Sequence, residues 1–153
     1  MENVKSATKH NVQIETKSYQ LPPKDGITIT HFLTVTDIDR SAKFYETVFG
    51  GHILNPGDRN GAPAYIQVAN TWLIVNVGGG PTTDKPNVIL SVLADPNKIS
   101  SFMNIRVADI YSCYELWESR GAEFLTPPIV KHGEIRCYIR DPDGYIIEVG
   151  QSI

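Results

Sequence analysis

The alternation of apolar and polar positions changes character at residue 27. Before it, MENVKSATKHNVQIETKSYQ is polar, and Pro22-Pro23 leads into the turn-like pair Asp25-Gly26. This predicts an arm over 1–26 outside the core, in which Val12 and Ile14 alternate with polar neighbours and suit a short edge strand. From Ile27 the run ITITHFLTVT is rich in β-branched residues and predicts a strand. In DIDRSAKFYETVFGG, Ile38, Ala42, Tyr45 and Phe49 recur at helical spacing. Asp37 or Asp39 suits the N-cap, and Gly50 and Gly51 stop the helix. Short strands follow in HIL, AYIQVA and NTWLIVNV, separated by turn-rich pieces.

The same order then recurs. FMNIRVA predicts a strand, DIYSCYELWESRGA a helix closed by Gly121, EFL and CYIR strands, and DPDGYIIEVG a hairpin turn with the last strand. Asp37 and Asp109, Ile38 and Ile110, and Glu46 and Glu118 match at an offset of 72. Tyr65 and Tyr138, Ile66 and Ile139, Trp72 and Tyr145, and Ile74 and Ile147 match at 73, so one inserted residue accounts for the drift. The expected architecture is α+β, with two tandem β-α-β-β-β modules over 27–77 and 101–151 joined by a segment over 78–100. Neither module alone buries much surface, so each sheet must pack on the other or on a second chain.

Composition narrows the function. The chain has 153 residues, Lys+Arg 14 against Asp+Glu 17, and a net charge of −3. That balance supplies no basic field for a phosphate backbone, which argues against nucleic acid. The longest apolar runs, WLIV and VILSVLA, fall far short of the roughly 20 residues that span a bilayer, so no membrane partner is expected. The polar N-terminus lacks the apolar stretch of a secretory signal, and a cytoplasmic location is expected. Cys113 and Cys137 lack a CxxC spacing and are expected to be buried thiols.

A strand followed by VTDIDRSAKFYETVFGG, its repeat with VADIYSCYELWESRGAEF, and the closing RDPDGYIIEVGQ together resemble the vicinal oxygen chelate superfamily. That group includes glyoxalase I, bleomycin-resistance proteins, fosfomycin-resistance enzymes, methylmalonyl-CoA epimerase and extradiol dioxygenases. The resemblance covers about 27–151. It implies curved mixed sheets that form a cleft, helices outside, a small-molecule ligand or substrate and, in many members, a homodimer, across which the arm could reach. Metal-dependent members take ligands from the first and last strands of each module. Those positions fall here on Thr30, Phe102, Val75 and Glu148, and only Glu148 carries a strong ligand. His31 is one residue from the expected place, but alternation groups it with Leu33 and Val35 on the helix-covered face. A β-bulge would swing it into the cleft, and a similar slip would bring Asn76 in place of Val75, leaving a site of His31 and Glu148 for Ni, Zn, Mn, Mg or Fe.

Glu148 is the strongest functional candidate, since a carboxylate among Tyr145, Ile146 and Ile147 needs a cation, a metal or hydrogen bonds. Its alternatives are metal ligand, general base, anchor for a cationic group, or a salt bridge to Arg106 or Arg136. Thr30, Phe32, Thr34, Val75, Phe102, Asn104 and Arg106 are the expected cleft lining, which suits a flat organic molecule. DPDG lacks the remaining positions of a calcium loop and reads as a turn, and GGGP at 78–81 lacks the Lys-Ser of a phosphate loop and reads as a flexible linker. Arg136 beside Cys137 would lower that thiol's pKa if it were exposed. His132 and His52 read as surface residues. Two functional classes stay open: a metal-independent binding protein of the bleomycin-resistance type, with Glu148 also available as a base, or a divalent-metal lyase or isomerase resembling glyoxalase I or an epimerase.

Overall fold

The computed structural model describes residues 26–58 and 61–153, so the arm and its edge strand at Val12 and Ile14 lie outside the described residues. The first module runs β1 (His31–Val35), α1 (Ile38–Phe49), β2 (His52–Asn55), β3 (Ala64–Val68) and β4 (Thr71–Val77). The second runs β5 (Met103–Arg106), α2 (Ile110–Ser119), β6 (Glu123–Phe124), β7 (Ile129–Lys131), β8 (Glu134–Arg140) and β9 (Ile146–Ser152).

Local signals explain both helices. Asp37 caps α1 in an extended conformation and accepts from Arg40 N at 3.0 Å. Gly50 ends it in the left-handed region at φ 65, which a residue without Cβ adopts freely. Asp109 caps α2 in the same way, accepting from Ser112 N at 3.1 Å. The first sheet has the order β1-β4-β3-β2 and the second β5-β9-β8-β6, with β7 also on β8. In each module the first strand pairs parallel with the last, and the others are antiparallel.

One core runs through both modules. Leu33, Val35, Ile66, Leu73 and Val75 of the first sheet join Ile139, Ile147 and Val149 of the second, with Tyr45, Phe49, Ile110 and Trp117 from the helices. Phe49 meets Trp117 edge to face at 4.9 Å, and Arg120 Nη1 donates to Val48 O at 3.2 Å. The DPDG turn also binds the first module. Asp143 Oδ1 accepts from Thr36 N at 3.2 Å and Thr36 Oγ1 at 2.6 Å, and pairs with Arg40 Nη2 at 3.2 Å. This nearly buried carboxylate sits at the N-terminus of α1, where the helix dipole favours negative charge.

Three expectations need correction. The first strand begins at His31, and Ile27 is left 96% exposed, because among the described residues no neighbouring strand reaches it. The segment over 78–100 is not a featureless linker: Gly79 and Leu90 exchange backbone hydrogen bonds at 2.8 and 2.9 Å, folding it back on itself. β7 was missed. It is held by a two-residue turn in which His132 (φ 52) and Gly133 (φ 74) both adopt positive φ, the hairpin geometry of a primed turn.

Candidate ligand-binding site

Glu148 lies in the middle of β9, with Ile147 and Val149 pointing into the core on either side. Alternation therefore turns it to the opposite face of the sheet. Its two direct cross-strand neighbours are Asn104 on β5 and Tyr138 on β8. Asn104 Nδ2 donates to Oε1 at 2.6 Å and the Tyr138 hydroxyl donates to Oε2 at 2.7 Å. Glu148 is 7% exposed, and both its carboxylate oxygens are held by neutral donors. The hydrogen bond to Glu148 pushes the Tyr138 phenol above its ordinary pKa, so it remains the donor.

Neither arginine proposed as a salt-bridge partner makes a hydrogen bond or ion pair with Glu148 that the geometry supports. Arg106 instead pairs with Glu134 at 3.0 Å and donates to Ser152 Oγ at 2.9 Å, and Arg136 Nε donates to Glu134 at 2.8 Å. The two guanidinium groups hold the Glu134 carboxyl below its ordinary range, Arg136 contributing most. Glu134 in turn raises Arg136, with the field of Glu148 adding to it. Glu134 was missed because nothing in EIRCYIR marks the strand's first residue; only the β8–β9 register sets it beside Ser152.

The expected lining residues divide. Phe32 and Thr34 on β1 face away from Leu33 and Val35, as Asn104 and Arg106 do on β5. Phe102, just before β5, packs edge-on against Tyr138 at 6.2 Å. Thr30 lies just ahead of β1. Val75 does not belong with them: it is 0% exposed, pairs with Leu33 and is part of the core. Tyr65 is opposite Ile74 as Tyr138 is opposite Glu148, so Ile74, not Val75, is the repeat counterpart of Glu148. The cause is the DPDG turn, which carries one residue more than the Ala69-Asn70 turn and moves the offset to 74. His31 stays with Leu33 and Val35, because the β1–β4 ladder runs without the bulge that would turn it.

The first module's outer face opens into a cavity of about 790 Å³ lined by Phe32, Thr34, Asn76, Lys85, Leu90 and Tyr145, among others. The folded-back segment from Gly78 forms one wall. A smaller cavity of about 150 Å³ shares Phe32 and Tyr145 with it and reaches Phe102. Phe32 and Phe102 both line this smaller cavity. Tyr145, which donates to Thr34 O at 2.7 Å, and Lys85 were missed; no local pattern distinguishes them.

Residues 28–149 match the model of the Glyoxalase/Bleomycin resistance protein/Dioxygenase superfamily. The chain belongs to that superfamily. Solved structures share the fold at low identity. A glyoxalase/bleomycin resistance protein/dioxygenase from Nocardioides is 23% identical, with a TM-score of 0.65 over 84% of this chain and 85% of that one. TnmS3, an antibiotic binding protein from Streptomyces sp. CB03234, is 18% identical, with a TM-score of 0.59 over 86% and 99%. FosX, a fosfomycin resistance protein from Listeria monocytogenes complexed with Mn(II), is 14% identical, with a TM-score of 0.59 over 82% and 92%. No curated protein is similar enough in sequence to count as a match. Among the described residues no helix is long and apolar enough to cross a membrane.

The residues present do not fit a divalent metal of the kind superfamily members hold. Thr30, Phe102 and Ile74 stand at three of the four ligand positions, and none of them carries a side chain that suits such an ion. Among the described residues no three His, Cys, Asp or Glu side chains converge.

Proposed function

We propose that this superfamily member binds a small organic molecule, aromatic and cationic, without a metal, and that Glu148 anchors its positive group. The observation that carries this reading is the Glu148 carboxylate, nearly buried and held by Asn104 and Tyr138. A carboxylate oxygen has two acceptor sites, so each oxygen retains one for a ligand N–H, and a charged donor there forms the stronger class of hydrogen bond. Phe102 adds an aromatic surface beside the anchor. The description of TnmS3 as an antibiotic binding protein is consistent with a binding role for this fold. The same carboxylate is the group placed to accept a proton from a bound ligand.

The test is a fluorescence titration with proflavine, a planar aromatic cation that carries N–H donors. Saturable binding by the native protein, weakened about tenfold in Glu148→Gln, is the expected result, since a hydrogen bond to a charged group contributes about 1.5–3 kcal/mol. Equal affinity in both proteins, with unchanged circular dichroism, would overturn it.

A further inference from the structure

We infer that the ligand also carries a carboxylate, held by Arg106 and Arg136 at a fixed distance from the Glu148 anchor. This deepens the reading above and rests on it. Asn104 pairs with Glu148 and Arg106 with Gly150 in alternate rungs of the β5–β9 ladder, on one face. Two residues along a strand span roughly 6.6 Å, which sets the spacing between the negative and positive ends of this strip.

Gly150 makes the positive end possible. A Cβ at that position would collide with the Arg106 guanidinium, so the absent side chain lets Arg106 lie flat across β9. There it reaches Glu134 and Ser152. Two guanidinium groups then share the single carboxylate of Glu134, which leaves one positive charge uncompensated within the trio. Arg136 engages Glu134 through Nε, so its terminal nitrogens remain for an incoming group. Arginine's planar fork matches a carboxylate in two parallel hydrogen bonds. The strip is therefore a dipole: Glu148 at one end, Arg106 and Arg136 at the other. A zwitterion with its charges at opposite ends of a flat spacer is complementary to it.

Calorimetric titration with three ring compounds tests this: 4-(aminomethyl)benzoate, which carries both charges, benzylamine and 4-methylbenzoate. The zwitterion is expected to bind about tenfold more tightly than either singly charged compound. Arg106→Gln should abolish that advantage and leave benzylamine unaffected. Glu134→Gln, which removes the competing carboxylate, should tighten the zwitterion and 4-methylbenzoate; a merely structural ion cluster would not respond in that direction. If benzylamine binds through Glu148 but the carboxylate adds nothing, or if its gain survives Arg106→Gln, this inference fails and the cation reading stands. If benzylamine binding ignores Glu148→Gln, both fail together.

Discussion

Tyr45 donates its hydroxyl to Asp141 Oδ2 at 2.9 Å, joining α1 to the turn before β9 across 96 residues of sequence. The other carboxyl oxygen of Asp141 accepts from Asp143 N and Tyr145 N, each at 2.9 Å. Both side chains are buried, and burial pushes both pKa values up, Tyr45 well above its ordinary value. The pair therefore holds the first module to the strand that carries Glu148 while retaining an ionisable group out of water.

That arrangement has a pH signature. Because the Asp141 pKa is raised on folding, its titration stabilises the fold at pH below the ordinary aspartate range, and that contribution is lost as pH rises through the folded-state pKa. Asp141→Asn keeps the acceptor for the two backbone N–H groups and turns a donor toward the Tyr45 oxygen. The stability of the native protein minus that of the variant, from urea unfolding, should fall as pH rises through this window and then level off. A difference that climbs with pH would contradict the assignment.

Tyr138→Phe removes one of the two donors on Glu148. A nearly buried charged acceptor losing a hydrogen bond costs about 1–3 kcal/mol, measurable by denaturant unfolding. A loss below about 0.3 kcal/mol would mean that water replaces the phenol fully and that the carboxylate is less enclosed than its geometry indicates.

Phe49 and Trp117 carry the contact between the helices. The continuous core predicts one cooperative unfolding transition, the same by circular dichroism and by tryptophan fluorescence. Trp117→Ala should cost about 3–5 kcal/mol through lost burial and the cavity it leaves. Two separated transitions in the native protein would show that the modules fold independently.

The cysteines give a chemical check. Burial pushes the Cys113 thiol up to about 11 and the Cys137 thiol up to about 12. Both thiols are buried, as the sequence led one to expect, and the condition for activation by Arg136 is not met: the Arg136 and Cys137 side chains point to opposite faces of β8 and the thiol is enclosed in the core. Since the thiolate is the nucleophile, an aromatic disulfide reagent at pH 8 should modify neither residue until the protein is unfolded. Prompt reaction of the native protein would sink this prediction.

Several features were legible because their causes are local. Asp37 and Asp109 cap helices through their own side chains three residues ahead, and the apolar spacing of Ile38, Ala42, Tyr45 and Phe49 is the periodicity of the buried face. The duplicated order of elements followed from these signals. Strand alternation likewise assigned Phe32, Thr34, Asn104 and Arg106 to one face and His31 to the other. Val75 failed for a physical reason: strand side chains repeat every two residues, so the one-residue difference between the two hairpin turns transfers it to the core.

By itself, then, the chain determined its helices, its repeat and Glu148 as an unusual carboxylate, since each depends on neighbours within a few residues. Only the tertiary structure decided which groups meet that carboxylate. Asn104 is 44 residues away and Tyr138 10, and Arg106 turns instead to Glu134, 28 residues on, because Gly150 leaves it room. Those pairings depend on the register between strands, which is set by turn lengths and core packing across the whole module and is written in no single stretch of sequence.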